Sequence, residues 1–231
     1  VLQRTLIAGT PLLLATIGEI TAERSGVLNL GVEGMLAAGA VTAFIVTKTT
    51  GSPLLGTLAA VAVGMVAASI HAFVSVTLQA NQVVSGLALT MLGLGVSGLW
   101  GKAYVGVPLG TRVGRLPVPL LNRIPVVGDL LFDQSAFFYA AIILGLLSRF
   151  VFRHTTWGIA LRSAGENPRA TETQGYSVSL IRYLAVAFGG ACAGLAGAHL
   201  SISYSASWIE GMSAGRGWIV IGFRQPSISR T

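Results

Sequence analysis

Long apolar stretches dominate the chain and determine the solvent in which it folds. Six of them approach the length of a membrane-spanning helix, and a shorter run follows them. They lie at 5–20, 31–47, 54–78, 83–101, 136–152 and 183–203, with the short run at 217–223. A helix needs about 20 apolar residues to cross a bilayer, where every backbone polar group must be bonded within the protein. The pattern predicts an all-α, polytopic integral membrane protein with about six spanning helices and a truncated seventh.

The composition agrees with a chain that folds in lipid. Of its 231 residues, 53% are hydrophobic and 10% are charged, whereas soluble domains carry about 25% charged residues. The formal net charge of +7 comes from basic residues scattered through connecting segments, which is typical of the positive-inside rule. We therefore expect membrane lipid, and no nucleic acid, among the partners.

Metal and thiol chemistry have little support in the sequence. Cys192 is the single cysteine, so this chain alone forms neither a disulfide nor a thiolate metal site. The three histidines, His71, His154 and His199, show no ligand spacing. No metal site and no cofactor are predicted.

Two connections are longer than the others, at 102–135 and 149–182. If the stretch between them crosses the membrane once, they lie on opposite faces. Arginines flank both ends of the second connection, whereas the last dozen residues of the first carry only Asp129 and Asp133 as charges. This asymmetry favours a cytoplasmic position for 149–182.

A polar segment at 18–34 interrupts the apolar pattern. It contains Glu19, Glu23, Arg24, Asn29 and Glu33. A charge at the bilayer centre costs roughly 2.5 to 3.5 kcal/mol on insertion scales, so such residues usually serve a pathway, a partner or a bend. Glycines within the segment suit a broken or re-entrant helix, while a plain polar loop is the alternative. The sequence is compatible with both interpretations.

Asn29 and Glu33 also have a structural interpretation. Glu33 stands at the head of an apolar helix, where a carboxylate complements the helix dipole, and Asn29 is placed to cap the same helix. Structural use of these two side chains is at least as well supported as contact with a substrate.

The connection 153–182 carries its own signals of order. Pro168 stands where a helix can begin, and Gly175 follows where one can end, which predicts a short surface helix over Arg169 to Thr173. A segment that is too polar for lipid and yet locally ordered suits a docking surface. A solvated loop is the alternative.

Three strings of the chain together resemble a known family. They are GEITAERSGVLNLGVEGM, LRSAGENPRATETQGYS and AGLAGAHLSISYSASWIEGMSAGRGW. The chain resembles, nearly throughout and up to about Ile219, the nucleoside and simple-sugar permease branch of bacterial ABC importers. The resemblance implies a multi-pass protein of the bacterial inner membrane that imports nucleosides or simple sugars. It also implies three kinds of partner: ATPase subunits, a second homologous permease subunit and an extracytoplasmic substrate-binding lipoprotein.

The resemblance assigns roles to particular positions. Five consecutive residues look like the cytoplasmic segment that couples the ATPase to the membrane helices, namely Gly165, Glu166, Asn167, Pro168 and Arg169. The polar segment looks like the family's N-terminal signature near the translocation core. There, Glu19, Asn29 and Glu33 are the candidates for the translocation path.

Two other classes of function are compatible with parts of the sequence. The chain lacks G-x-x-x-x-G-K-[ST], so ATP-driven transport requires an ATPase on another chain. Glu19 and Glu33 keep an ion-coupled secondary transporter open as the alternative, although no clear inverted repeat supports it. Ser97 and His199 lie in two predicted spans, as in rhomboid proteases, but glycines around a small serine more often serve packing.

The expected domain organisation is one membrane domain at 1–223. The last residues, 224–231, turn polar where the resembling family continues with an apolar run. Truncation or a reading-frame shift accounts most simply for this departure. The chain also begins without methionine, so we expect a fragment of a longer protein.

Overall fold

The computed structural model describes residues 2–111, 113–117 and 132–222. Within them, six helices are long and apolar enough to cross a membrane. They are Leu2–Arg24 (α1), Val32–Thr50 (α2), Pro53–Thr77 (α3), Gln82–Tyr104 (α4), Ala136–His154 (α5) and Val178–Tyr204, which is α8 in chain order. Three shorter helices are Thr156–Glu166 (α6), Pro168–Thr173 (α7) and Arg216–Gly222 (α9). The predicted polytopic, all-α architecture is confirmed.

A small β-ribbon is the one departure from helix among the named elements of the described residues. Strand β1, Arg115–Pro117, pairs antiparallel with β2, Asp133–Ser135. The pair lies in the long connection between α4 and α5, where the chain has left the helical bundle. Strands of three residues are too short to show an alternating pattern, so the sequence did not reveal them.

Helix α8 lies at the centre of the bundle, with α1, α2 and α3 packed around it. Glycines make this arrangement fit. A Cβ atom on Gly190 would collide with the carbonyl oxygen of Gly64, and one on Gly194 with that of Ala60. Close approach of backbones through small residues is the usual basis of helix packing in lipid. Gly190 and Gly194 therefore serve packing within one subunit.

Helices α6 and α7 occupy one end of the bundle, which we call the α6–α7 end. Contacts place the end of α1 and the beginning of α8 there, because Arg182 reaches both Ser25 and Ala164. The opposite end carries the connection between α2 and α3, and Lys48 binds the carbonyl oxygen of Pro108 there. The 153–182 connection and the β-ribbon therefore lie at opposite ends of the bundle.

The predicted short run at 217–223 corresponds to α9, which begins at Arg216. Its neighbours are α1 and α2. The predicted polar tail at 224–231 lies outside the described residues, as does the end of the expected domain at residue 223.

Candidate functional site

The polar segment at 18–34 contains the end of α1, a non-helical connection and the beginning of α2. Helix α1 continues to Arg24, α2 begins at Val32, and residues 25–31 between them are not helical. Ser25, Val27 and Asn29 in this stretch are each at most 1% exposed. The segment is therefore buried and is not a solvated loop. It joins two spanning helices that run in opposite directions, since the end of α1 lies at the α6–α7 end and the end of α2 at the opposite end. We call residues 25–31 the interrupted segment.

The interrupted segment runs back along α1 after leaving it. The backbone N–H of Asn29 donates to Oε1 of Glu19 at 3.2 Å, although Glu19 lies more than one helical turn before the end of α1. Gly26 allows the reversal because its φ is +85°, a conformation that glycine adopts without the cost other residues incur. Helix α2 therefore begins at a level already inside the bundle.

Side chains from several helices bond the backbone of the interrupted segment. Gln82 accepts from the N–H of Leu28 at 2.8 Å, and Thr90 donates to the carbonyl oxygen of Leu30 at 2.8 Å. His71 Nε2 lies 3.1 Å from the carbonyl oxygen of Leu28. Irregular backbone at membrane depth is tolerated only when its polar groups are satisfied in this way or face a water-filled cavity. These polar side chains therefore satisfy the backbone groups of the non-helical residues 25–31.

His71 has a defined tautomer in this arrangement. A carbonyl oxygen only accepts, so Nε2 must carry the proton that is donated to Leu28. Nδ1 then accepts from the hydroxyl of Ser85 at 3.0 Å. The ring is 1% exposed, and both of its nitrogens form hydrogen bonds within the protein.

Glu19 is 3% exposed, and only one of its two carboxylate oxygens has a hydrogen-bond partner among the described residues. Its Oε1 accepts from Asn29, while Oε2 has no hydrogen-bond partner among the described residues. A buried acceptor without a partner is costly and asks for an explanation. Of the three candidates for the translocation path, Glu19 alone keeps such an acceptor.

Asn29 is fully buried and makes local bonds. Its Oδ1 accepts from the N–H of Gly31 at 3.0 Å, and its Nδ2 donates to Sδ of Met35 at 3.6 Å. Gly31 is the N-cap of α2, and no side chain caps that helix. The expectation that Asn29 caps α2 is therefore wrong, because the amide forms a tight turn before the helix and does not reach its first turn.

Glu33 joins α2 to the start of α9. Its Oε1 accepts from the N–H of Gly215 at 3.0 Å, and its Oε2 accepts from the N–H of Gly217 at 2.5 Å. Both oxygens therefore bond backbone donors that begin a helix, where a carboxylate is favoured. The structural interpretation of Glu33 has direct support in these bonds, across 182 residues or more of sequence.

The predicted surface helix in the 153–182 connection is confirmed as α7. It begins at Pro168, and Asn167 caps it by accepting from the N–H of Ala170 at 3.1 Å. Helix α6 precedes it and was not predicted. The hydroxyls of Ser163 and Thr171 lie 2.6 Å apart and join the two helices.

The five coupling candidates divide into two groups at this corner. Glu166, Asn167 and Arg169 are exposed, and Pro168 is half-buried. Gly165 instead faces the bundle, where a Cβ atom would collide with the carbonyl oxygen of Arg24 and approach Gly26. The exposed residues Glu166, Asn167 and Arg169 form a surface. Gly165 instead allows α6 to lie close against the interrupted segment.

Arg182 stabilises the contact between α6 and the interrupted segment. Its Nε donates to the carbonyl oxygen of Ser25 at 3.1 Å, and its Nη2 donates to the carbonyl oxygen of Ala164 at 3.2 Å. One guanidinium group therefore joins α8, the interrupted segment and the end of α6. The two regions that the sequence singled out independently are in contact.

The structure does not bring the proposed serine and histidine together. The hydroxyl of Ser97 donates to Leu94, while Nε2 of His199 bonds the carbonyl oxygen of Ile7 and Nδ1 has no partner. A nucleophile needs its base within hydrogen-bond reach. The protease alternative is therefore not supported. In the described part of the chain, no cluster of three or more His, Cys, Asp or Glu suits a metal ion.

Sequence reasoning missed the side chains that hold the interrupted segment. They are His71, Gln82, Thr90 and Arg182. Each bonds a backbone group far away along the chain, so no local spacing points to it. The available signal was a polar residue in or beside an apolar stretch, which in lipid usually has a partner.

The chain matches known proteins along nearly its whole length. Residues 1–223 match the family model described as "Branched-chain amino acid transport system / permease component". The putative glucose ABC transporter permease protein TsgC13 of Haloferax volcanii is 42% identical over 95% of this chain and 68% of its own length. The nucleoside ABC transporter permease protein NupC of Lactococcus lactis is 33% identical over 95% of this chain and 72% of its own length.

The guanosine ABC transporter permease protein NupQ of Bacillus subtilis is also 33% identical, over 96% of this chain and 73% of its own length. No solved structure matches the chain. A family match over 223 residues and relatives of this similarity define the membership. The chain therefore belongs to this permease family and is a membrane-spanning permease subunit of an ABC transporter.

Proposed function

We propose that this subunit imports nucleosides or simple sugars across the bacterial cytoplasmic membrane, with 1–223 as its permease domain. The names of the relatives support this substrate class, since they mention glucose, nucleosides and guanosine. These molecules are neutral and rich in hydroxyl groups, which suits a path lined by single polar groups better than a charged clamp.

The subunit works with other chains in this proposal. Separate ATPase subunits supply the nucleotide site, as the relatives named as ABC transporter permease proteins suggest. A second homologous permease subunit completes the path, and an extracytoplasmic lipoprotein delivers the substrate. The ion-coupled alternative lacks comparable support, because the named relatives are ABC transporter permeases.

The coupling segment is residues 165–169 in this proposal, and the bridge made by Arg182 is the observation that carries it. The side chains of Glu166, Asn167 and Arg169 are exposed and are therefore accessible to a partner ATPase. Behind them, Gly165 lies against Arg24 and Gly26 with no side chain between the backbones. A shift of α6 driven by ATPase closure is therefore transmitted directly to the interrupted segment.

The translocation path runs beside the interrupted segment in this proposal. Glu19 contributes Oε2, which is free to accept from a substrate hydroxyl. Asn29 and Glu33 shape the path by fixing the beginning of α2 and of α9. The roles of the three residues therefore differ: Glu19 contacts substrate, while the others keep the backbone in place.

A reconstituted transporter tests the coupling assignment. The double substitution Glu166→Ala with Arg169→Ala should sharply lower substrate uptake while ATP hydrolysis and membrane insertion persist. Arg4→Ala is the matched control, because Arg4 is an exposed arginine at the opposite end of the bundle. Coupled uptake equal to that of the unaltered complex in the double variant would refute the assignment.

A second measurement separates the two classes of transporter. Proteoliposomes that contain only this chain and an ion gradient should take up neither nucleosides nor sugars. Uptake under those conditions would favour the ion-coupled alternative and count against a need for ATPase subunits.

A further inference from the structure

A groove between α1 and α5 is not explained by transport. Its cavity of about 240 Å³ lies along the seam where the two helices meet at the α6–α7 end. The groove combines apolar residues with one hydroxyl and three arginines. Its lining is Ile17, Ile20, Arg24, Gly145, Ser148, Arg149, Phe152 and Arg153. We call this cavity the α1–α5 groove.

The lining is amphipathic along the helix axes. Ile17 and Ile20 lie toward the middle of α1, whereas Arg24 is its last residue. On α5, Gly145 precedes Arg149 and Arg153 in the same direction. The groove is therefore apolar where it enters the bundle and positively charged where it reaches the α6–α7 end.

The three arginines act as one basic site. The guanidinium group of Arg24 lies 4.4 Å from the centre of the Phe152 ring, which holds it beside the groove. Arg149 and Arg153 follow at helical spacing on the facing helix and are exposed. No acidic residue is among the groove's lining residues. Charge complementarity therefore calls for an anion here.

The surroundings identify the kind of anion. Helix α5 is the least buried of the spanning helices in the described structure. Its outer face exposes Ile143, Leu146 and Leu147, as expected for contact with lipid chains. The seam between α1 and α5 thus lies beside an apolar face of the kind that contacts lipid chains. A free phosphate ion would leave the apolar part of the groove unfilled. An acidic protein surface would not fill it either, because that part of the groove lies in the hydrocarbon region.

We propose that the α1–α5 groove binds an anionic phospholipid. The phosphate lies among Arg24, Arg149 and Arg153, where the hydroxyl of Ser148 is a further donor, and an acyl chain lies along Ile17 and Ile20. Basic pockets between helices on the cytoplasmic side are a recurring form of lipid recognition. This inference rests on the membrane fold and is independent of the proposed substrate.

The site lies beside the interrupted segment, since Arg24 is followed directly by Ser25. A bound headgroup also offsets the repulsion among neighbouring arginines, including Arg162 of α6. Occupancy of the groove therefore stabilises the corner where α1, α5 and α6 meet. The lipid is expected to favour the observed packing of that corner.

Binding of two lipids with identical chains tests the proposal. The detergent-purified transporter is titrated with dioleoyl phosphatidylglycerol and dioleoyl phosphatidylcholine, and bound lipid is counted by native mass spectrometry. The anionic lipid should bind more tightly. Arg149→Gln with Arg153→Gln should weaken its binding about fivefold per arginine, because a basic residue near the surface contributes about 1 kcal/mol.

Two further variants separate the groove from general charge effects. Arg4→Gln removes an exposed arginine at the other end of α1 and should leave phosphatidylglycerol binding unchanged. Gly145→Leu keeps all charges and fills the groove, since its Cβ meets Ile17 at an ordinary 3.4 Å and the larger side chain projects beyond it. This variant should also weaken binding of the anionic lipid.

Several results would overturn the proposal. Equal affinity for the two lipids, or equal weakening by Arg4→Gln, would show that the groove does not select the anionic headgroup. Displacement of the lipid by excess inorganic phosphate would identify a simple anion site. Loss of the ATPase subunits from the arginine double variant with unchanged lipid binding would identify a protein contact.

Discussion

Arg182 of α8 donates from Nε to the carbonyl oxygen of Ser25, 157 residues earlier in the chain, at 3.1 Å. The same guanidinium group reaches Ala164 at the end of α6. Arginine suits this position because its planar group offers several donors in a fixed geometry. The bond ties the interrupted segment to the corner that we propose receives movement from the ATPase.

Replacing Arg182 tests this connection. Arg182→Ala should uncouple ATP hydrolysis from uptake and lower stability by about 1.5–3 kcal/mol for each bond to the charged group. Arg182→Lys should restore only part of the coupling, since a single ammonium group does not reproduce the fork. The measurement is uptake per ATP hydrolysed in proteoliposomes.

Arg162→Ala is the control for Arg182, because Arg162 bonds the carbonyl oxygen of Gly158 within its own helix. It should leave the ratio of uptake to hydrolysis nearly unchanged. Identical ratios in the Arg182 and Arg162 variants would mean that the bridge has no part in coupling.

A side chain at Gly165 should separate α6 from the interrupted segment. Gly165→Ala places a Cβ atom against the carbonyl oxygen of Arg24, and overpacking of this kind costs about 1–3 kcal/mol. The thermal unfolding midpoint of the purified transporter should fall. Gly9→Ala on α1 is the control, because nothing lies within 4 Å of its Cβ position. A fall of equal size in both variants would count against the close contact.

Removing the Glu33 carboxylate should loosen the beginning of α9. Glu33→Ala leaves the N–H groups of Gly215 and Gly217 without their acceptors, at about 1–3 kcal/mol for each buried group. Glu33→Gln keeps one acceptor oxygen and should have a smaller effect. Hydrogen exchange of these two amides measures the change, and protection that is the same in all three proteins would contradict this role.

Glu19→Gln should affect transport more than folding. Glutamine keeps an acceptor for Asn29 but places a donor where Oε2 stands free. If Oε2 accepts from a substrate hydroxyl, KM for uptake should rise several-fold, since a hydrogen bond contributes about 0.5–1.5 kcal/mol. Glu33→Gln is the comparison and should lower stability with little change in KM. An unchanged KM in Glu19→Gln would remove Glu19 from the path.

The sequence predicted the spanning helices because lipid imposes a length of apolar residues that is visible locally. It also predicted α7, whose beginning at Pro168 and end near Gly175 are marked by residues with fixed backbone preferences. It missed α6, where Trp157 and Ile159 lie exposed and blur the expected apolar face. The segment was predicted to be a docking surface, which remains a proposal.

The candidate site was predictable only in part. The polar segment was found because charges between apolar runs are costly, yet two interpretations of it remained until the burial of Ser25 and Asn29 was known. The partners His71 and Thr90 were not found, because each bonds a backbone group 43 or 60 positions away. Such bonds depend on how helices pack, and one sequence does not encode that in any local pattern.

The glycine contacts of α8 have a consequence for movement. Where Gly190 lies on Gly64 and Gly194 on Ala60, no side chain separates the backbones, so no change of rotamer can absorb a relative displacement. We therefore expect α3 and α8 to travel as one rigid body during a transport cycle, together with α2, which packs on both. The change of shape is then left to the connections between helices, and we expect the non-helical residues 25–31, which contact α6 through Gly165, to act as a hinge.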